Sequence, residues 1–254
     1  MMDNVFKQGE NLAESMRKKL ELDNAPIKNI FTLLENQGIM VIRMPIKGGS
    51  LSGAVVCNKE DKSAYILINS NRSVGHQSFT AAHEYCHYLE DMEETSVIID
   101  NSNSKSPIEK RADSFAANFL MPKEGIVNFI DNVLKKQIKK IDDEDIVRIR
   151  EEFGVSWSAV IYRLNNLGYT FDKSVNDKVK QTASLNSLAL QFGFSAEAPD
   201  KENPIKFPSS YYKLAYSAYF DKKISLERLS EILMQSYEDT VDRVNKIKNK
   251  TENE

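Results

Sequence analysis

Apolar residues in the first part of the chain recur at spacings that separate helices from strands. A helix is predicted over residues 5–20, where Val5, Leu12, Met16 and Leu20 form one stripe. A second is predicted within 24–38, with Asn24 suited to the N-cap and Gly38 to the C-terminal stop. Three strand-like runs follow, with sequences GIMVIRM, SGAVVCN and SAYILIN.

The rest of the chain is patterned mainly for helices. Helices are predicted over Ser78–Glu93 and from Pro107 to Pro122, with a polar loop at 95–107 between them, and again over 124–139, 143–168 and 208–248. The predicted class is α+β. Its proposed divisions are a core at 1–122, a helical segment at 123–170, a linker-like segment at 171–203 and a helical C-terminal segment at 204–254.

The amino-acid composition limits the classes of protein to which this chain can belong. With 41% hydrophobic and 28% charged residues among 254, the chain is typical of soluble globular proteins. A net charge of −3 argues against a general basic nucleic-acid binder but leaves a local patch open. No apolar run approaches the roughly 20 residues of a membrane span. Two cysteines without framework spacing, and a start without an apolar signal segment, predict a cytoplasmic protein.

Candidate chemistry is concentrated in the stretch FTAAHEYCHYLE, which contains a His-Glu-x-x-His motif. On a helix, His83 and His87 project from nearly the same side, one turn apart, so both can reach one Zn²⁺. Glu84 lies about 100° round the helix from His83, within reach of a water molecule as general base. The alternative is that both histidines are ordinary residues of an amphipathic helix.

A catalytic zinc site needs a third protein ligand. The extended motif ending in a third histidine would need Gly at 90 and His at 93, but the chain has Glu90 and Glu93. Glu109 is the better candidate, because it opens the next apolar helix. Glu90, Glu93 and Glu94 remain rivals, and His76 fits no common third-ligand spacing.

Asp113 stands four residues after Glu109, on the same helix face. Metal-bound histidines usually donate their other N–H to a carboxylate, so Asp113 is predicted to orient one zinc histidine. The alternative is that both acids belong to a solvated face.

Two further stretches have open interpretations. The run SGAVVCN fits either an edge strand that aligns a peptide or an interior strand. Arg148, Arg150 and Arg163 could form a DNA-binding patch, but interleaved acidic residues favour a solvated face of mixed charge.

The phrase FTAAHEYCHYLE, followed by EKRADSFAANFLMP, resembles the ImmA/IrrE family of bacterial metallopeptidases. The resemblance is strong over about 25–122, fair to 170 and loose beyond. Within the segment 123–170, FGVSWSAVIYRLNNLGY resembles the helix-turn-helix-like segment that often follows the peptidase core of the family. Cys86 stands where the family usually has Gly or Ser. The resemblance implies a zincin-like peptidase core, His83, His87 and Glu109 as zinc ligands, and Glu84 as catalytic acid and base. It also implies a helix-turn-helix repressor as substrate, often encoded nearby.

The function expected is therefore a zinc-dependent endopeptidase. Cleavage of a helix-turn-helix transcriptional repressor would release genes of a prophage, a mobile element or a stress response. The alternative is a DNA-binding or zinc-sensing regulator that keeps the fold with little proteolysis.

Overall fold

The computed structural model describes residues 2–47, 51–58, 63–91, 95–101, 106–136, 140–171, 182–201 and 205–251. The helices are α1 (Met2–Lys19), α2 (Ile30–Asn36), α3 (Val74–Glu90), α4 (Pro107–Leu120), α5 (Lys123–Asn128), α6 (Asp143–Phe153), α7 (Trp157–Asn166), α8 (Thr182–Gln191), α9 (Ser209–Phe220), α10 (Leu226–Leu233) and α11 (Tyr237–Thr251). The strands are β1 (Ile39–Met44), β2 (Leu51–Asn58), β3 (Ser63–Asn69), β4 (Thr95–Asn101), β5 (Lys140–Ile141) and β6 (Thr170–Phe171). The predicted α+β class is confirmed.

The main sheet has the strand order β1-β3-β2-β4. Strand β1 is parallel to β3, whereas β2 is antiparallel to both β3 and β4. The SGAVVCN run is therefore an interior strand, and its edge-strand interpretation is wrong.

The polar loop predicted at 95–107 is also wrong in part, because residues Thr95–Asn101 form β4. Three apolar residues flanked by polar ones give a weak strand signal. These residues form a strand because they pair with β2. The pairing gives hydrogen-bond partners to the backbone groups on the side of β2 that faces away from β3.

Helix α3 begins four residues earlier than predicted, at Val74. Ser73 caps it by accepting a hydrogen bond from the His76 backbone N–H. The helix packs on β2 and β3, while α4 packs against α3 and α1. The hydrophobic core between these elements includes Phe115, Phe119, Ile66 and Ile68.

The helix predicted over 143–168 is two helices. Gly154 ends α6 in the left-handed conformation, with φ of 63°, and Ser156 caps α7 by accepting from the Ala159 N–H. The patterned stretch 124–139 likewise divides into α5 and a π-helical turn at Phe129–Val133.

Within the segment predicted to be linker-like, α8 buries Leu185 and Ala189 in the main core. Beyond α8, Glu197 connects two helix starts. Its Oε1 accepts from Ser73 Oγ at 2.9 Å, and its Oε2 accepts from the Trp157 backbone N–H at 2.7 Å. This carboxylate therefore ties the N-terminus of α3 to that of α7.

Helices α9 to α11 pack around a separate small cluster of Ala215, Leu229, Leu233 and Val244. Arg43 and Lys206 exchange backbone hydrogen bonds, which joins this region to β1. No helix in the described part of the chain is long and apolar enough to cross a membrane.

Candidate metal centre

Helix α3 presents His83 and His87 on one face, as the four-residue spacing requires. Both side chains are buried. Their Nε2 atoms point at each other and lie 3.0 Å apart.

Glu109 completes the group from the first turn of α4, where the Ser106 cap fixes the start of the helix. Its Oε2 is 3.1 Å from His83 Nε2, and its Oε1 is 3.6 Å from His87 Nε2. Ligand atoms about 2.0–2.1 Å from a tetrahedral zinc ion lie about 3.4 Å from one another. The three observed separations bracket that value, so the group has the size of a zinc site.

Each histidine is held by a carboxylate on its far nitrogen. His83 Nδ1 donates to Asp113 Oδ1 at 2.9 Å, and His87 Nδ1 donates to Asp91 Oδ2 at 2.8 Å. Because ionised carboxylates only accept, the Nδ1 atoms carry the hydrogens. In neutral rings the Nε2 atoms then carry lone pairs, and both lone pairs point toward the Glu109 carboxylate. Three electron-rich groups that converge in this way can bind a cation between them.

The pKa values of these residues in the absence of a metal also indicate that the site favours a cation. Burial lowers the pKa of His83, but hydrogen bonds with Asp113 and Glu109 outweigh it and raise that pKa to about 10. Burial also opposes charge on His87, whose pKa is nevertheless raised by Glu109 and Asp91. Hydrogen bonds from the two histidines lower the pKa of Glu109 to about 2. The site therefore favours positive charge at its centre.

Glu84 lies on the same helix turn, fully buried against the sheet. Its charge also raises the pKa values of His83 and His87, so it acts on the same centre. Strand β2 approaches closely here because it has Gly53. A Cβ on that residue would lie 2.4 Å from Thr80 Cγ2 and 2.8 Å from Glu84 Oε1.

The other candidates lie elsewhere. Among the described residues, the converging group is His83, His87 and Glu109, without His76 or Glu90. Glu90 is exposed, while His76 Nε2 lies 3.4 Å from Ser52 Oγ. Glu93 and Glu94 lie outside the described residues. Cys86 is buried in the hydrophobic core.

Asp91 is the residue that sequence reasoning missed. It stands four residues after His87, the same helical spacing that relates the two histidines, and this spacing could have identified it. Its second oxygen pairs with the Arg111 guanidinium of α4. Asp91 therefore orients His87 and connects the two helices that carry the candidate ligands.

Two of the three arginines considered for a DNA patch are buried in the fold. Arg163 is buried and donates from Nε to the Met121 carbonyl at 2.8 Å. Arg150 donates to the Ser195 carbonyl at 2.6 Å and lies over the Trp157 ring. Arg148 lies over the Phe192 ring. Arg150 and Arg163 therefore do not belong to a solvated face, and their guanidinium groups are not available for phosphate contacts.

Comparison with protein families agrees with this geometry. The model of the peptidase M78 family, described as the IrrE N-terminal-like domain, matches residues 34–165, just over half of the chain. The match runs from α2 to α7 and includes every side chain of the candidate centre. No curated protein matches the chain.

Proposed function

Because the chain belongs to the peptidase M78 family of IrrE N-terminal-like domains, we propose that it is a zinc-dependent endopeptidase that cleaves a helix-turn-helix transcriptional repressor. Family membership supports a metallopeptidase. The observation that carries the proposal is the convergence of His83, His87 and Glu109, with a buried Glu84 beside them.

Each residue of the centre has a chemical role in this proposal. His83 Nε2, His87 Nε2 and the Glu109 carboxylate hold the metal, while Asp113 and Asp91 fix the tautomer and orientation of the two rings. A bound zinc ion supplies Lewis-acid activation of water and of the scissile carbonyl.

Glu84 moves the protons. Its carboxylate accepts a proton from the attacking water and later delivers it to the nitrogen of the leaving amine. Burial against β2 limits the positions that this side chain can take. A base held in one position is more effective than a mobile one, because the reacting groups need no further ordering.

The repressor substrate is supported by the resemblance to the ImmA/IrrE family. We place the reaction in the cytoplasm, in keeping with the free, buried thiols of Cys57 and Cys86. Cleavage would inactivate the repressor and release the genes that it silences, such as those of a prophage, a mobile element or a stress response.

The proposal is tested by incubating zinc-loaded protein with each purified helix-turn-helix repressor encoded near its gene, followed by intact mass measurement. Two fragments whose masses sum to the repressor plus one water are expected with the wild type. Glu84→Gln should retain zinc and fold yet lose turnover, because Gln does not accept the proton at neutral pH. Cleavage by Glu84→Gln at the wild-type rate would remove the general-base role. Zinc-loaded wild type that leaves the repressor intact would refute the substrate.

A further inference from the structure

An apolar pocket lies beside the candidate metal centre, with a volume of about 240 Å³. Three helices form its walls. Helix α3 contributes His76 and Phe79, α4 contributes Asp113, and α7 contributes Ser158 and Tyr162.

The pocket and the metal centre share Asp113. One oxygen of this half-exposed carboxylate accepts from His83 Nδ1, while the side chain also lines the pocket. Phe79 and His76 precede His83 by four and seven residues, so they lie on the same face of α3. The pocket therefore continues the ligand-bearing face of the helix toward its N-terminus.

The distance along α3 matches the reach of a bound peptide. Phe79 is about 6 Å from His83 along the helix axis. An extended peptide advances about 3.3–3.6 Å per residue. A substrate with its scissile bond at the metal centre can therefore place a side chain in the pocket from one or two residues away.

The walls are held in place before any substrate binds. The Glu197 carboxylate accepts from Ser73 Oγ and from the Trp157 N–H, so it fixes the starts of α3 and α7 relative to each other. Ser156 caps α7 directly beside the pocket. A preformed pocket binds more tightly than one that must be ordered on binding.

We propose that this pocket binds an apolar side chain of the substrate, one or two residues from the scissile bond, and thereby selects the cleavage site. The inference rests on the proposed endopeptidase function. A cavity of about 150 Å³ is enough to bind benzene, so this pocket accommodates Leu, Met or Phe. Acidic side chains are disfavoured, because the Asp113 carboxylate lines the pocket.

The region after the two ligand-bearing helices would then take part in substrate recognition. Ser158 and Tyr162 lie one turn apart on α7, which belongs to the segment with a helix-turn-helix-like sequence. Instead of facing DNA, both residues line the pocket next to the metal centre. Helix α7 would thus form one side of the pocket that determines the substrate specificity of the peptidase.

The test uses short peptide hydroxamates as probes, because a hydroxamate needs only the bound zinc and no turnover. Each series carries Gly, Leu, Lys or Asp one or two residues from the chelating group, on either side of it. Dissociation constants are measured by calorimetry on zinc-loaded full-length protein. In at least one series, Leu should bind at least about tenfold more tightly than Gly, since its side chain is buried, and Asp should bind no better than Gly.

Two variants at exposed positions alter the pocket itself. Ser158→Phe should narrow it, and Tyr162→Ala should remove one wall. Each should reduce the preference for Leu over Gly to about threefold or less, with little change for the Gly probe. The matched control is Ala183→Leu, an exposed position on α8 that should keep the full preference.

The outcomes separate the pocket from the metal centre. If Leu and Gly probes bind equally in every series, or Lys binds best, the pocket proposal is overturned while the zinc site stands. The pocket proposal is also overturned if both pocket variants keep the full preference for Leu over Gly. If no probe binds to the zinc-loaded wild type, the proposed function itself fails, and the pocket inference fails with it.

Discussion

Replacing Gly53 with alanine would disturb the Glu84 carboxylate, the proposed general base, without touching a proposed metal ligand. The added Cβ would lie 2.4 Å from Thr80 Cγ2 and 2.8 Å from Glu84 Oε1. Real Cβ atoms essentially never show such short contacts, so the side chains of Thr80 and Glu84, or α3 as a whole, must move. The carboxylate can move more easily than the backbone of a helix packed on the sheet.

The expected magnitudes follow from these contacts. Overpacking of a tight interior site costs typically about 1–3 kcal/mol of the free energy of unfolding. Misplacing a reacting group by about 1 Å can cost about 100-fold in rate. Gly53→Ala should therefore lower repressor cleavage by about 100-fold while the protein still binds one zinc ion.

The assay compares cleavage rate per bound zinc with the free energy of unfolding in urea. The matched control is Gly125→Ala, whose Cβ would lie 2.4 Å from the Asn24 carbonyl oxygen, so it also overpacks, but against a different partner. The control should lose similar stability yet keep its cleavage rate per zinc. Equal cleavage rates in the two variants would refute the argument that Gly53 sets the position of Glu84.

Three other expectations follow from the contacts around the centre. Asp113→Ala should weaken zinc binding by about 10–100-fold in a chelator competition, and an unchanged dissociation constant would remove its orienting role. Glu197→Ala should lower the free energy of unfolding by about 2–4 kcal/mol in urea, because two hydrogen bonds to a charged group are lost. Glu231→Ala, which breaks only an exposed ion pair, should change it by less than about 1 kcal/mol. Zinc binding at pH 7 should release protons, because the pKa of His83 is about 10 without metal. Zinc affinity should therefore rise with pH up to that value, and calorimetry in buffers of different ionisation enthalpy that finds no proton release would contradict it.

The family and the fold class could be predicted because they depend on local patterns. The helical spacing of His83 and His87, and the apolar stripe after Glu109, are properties of single segments. The family match confirms the predicted family, and the α+β architecture confirms the predicted fold class. The proximity of Glu109 to the histidines, in contrast, required two helices to pack together, which the sequence could only suggest.

Features that depend on distant pairing were missed. Strand β4 carries a weak strand signal and is stabilised by pairing with β2. The local spacing of Asp91 from His87 could have identified its role in orienting that ring, but its ion pair with Arg111 of another helix could not be predicted. The apolar pocket could not be predicted either, since its walls come from segments about 80 residues apart.

Anomalous diffraction at the zinc absorption edge would show whether a zinc ion is held by His83, His87 and Glu109. Crystals of protein purified without chelators should give a single strong peak about 2.0–2.2 Å from both Nε2 atoms and a Glu109 oxygen. That peak should also be present in Glu84→Gln and lost in Glu109→Ala. A peak held by other residues, or none in zinc-soaked wild-type crystals, would contradict the account.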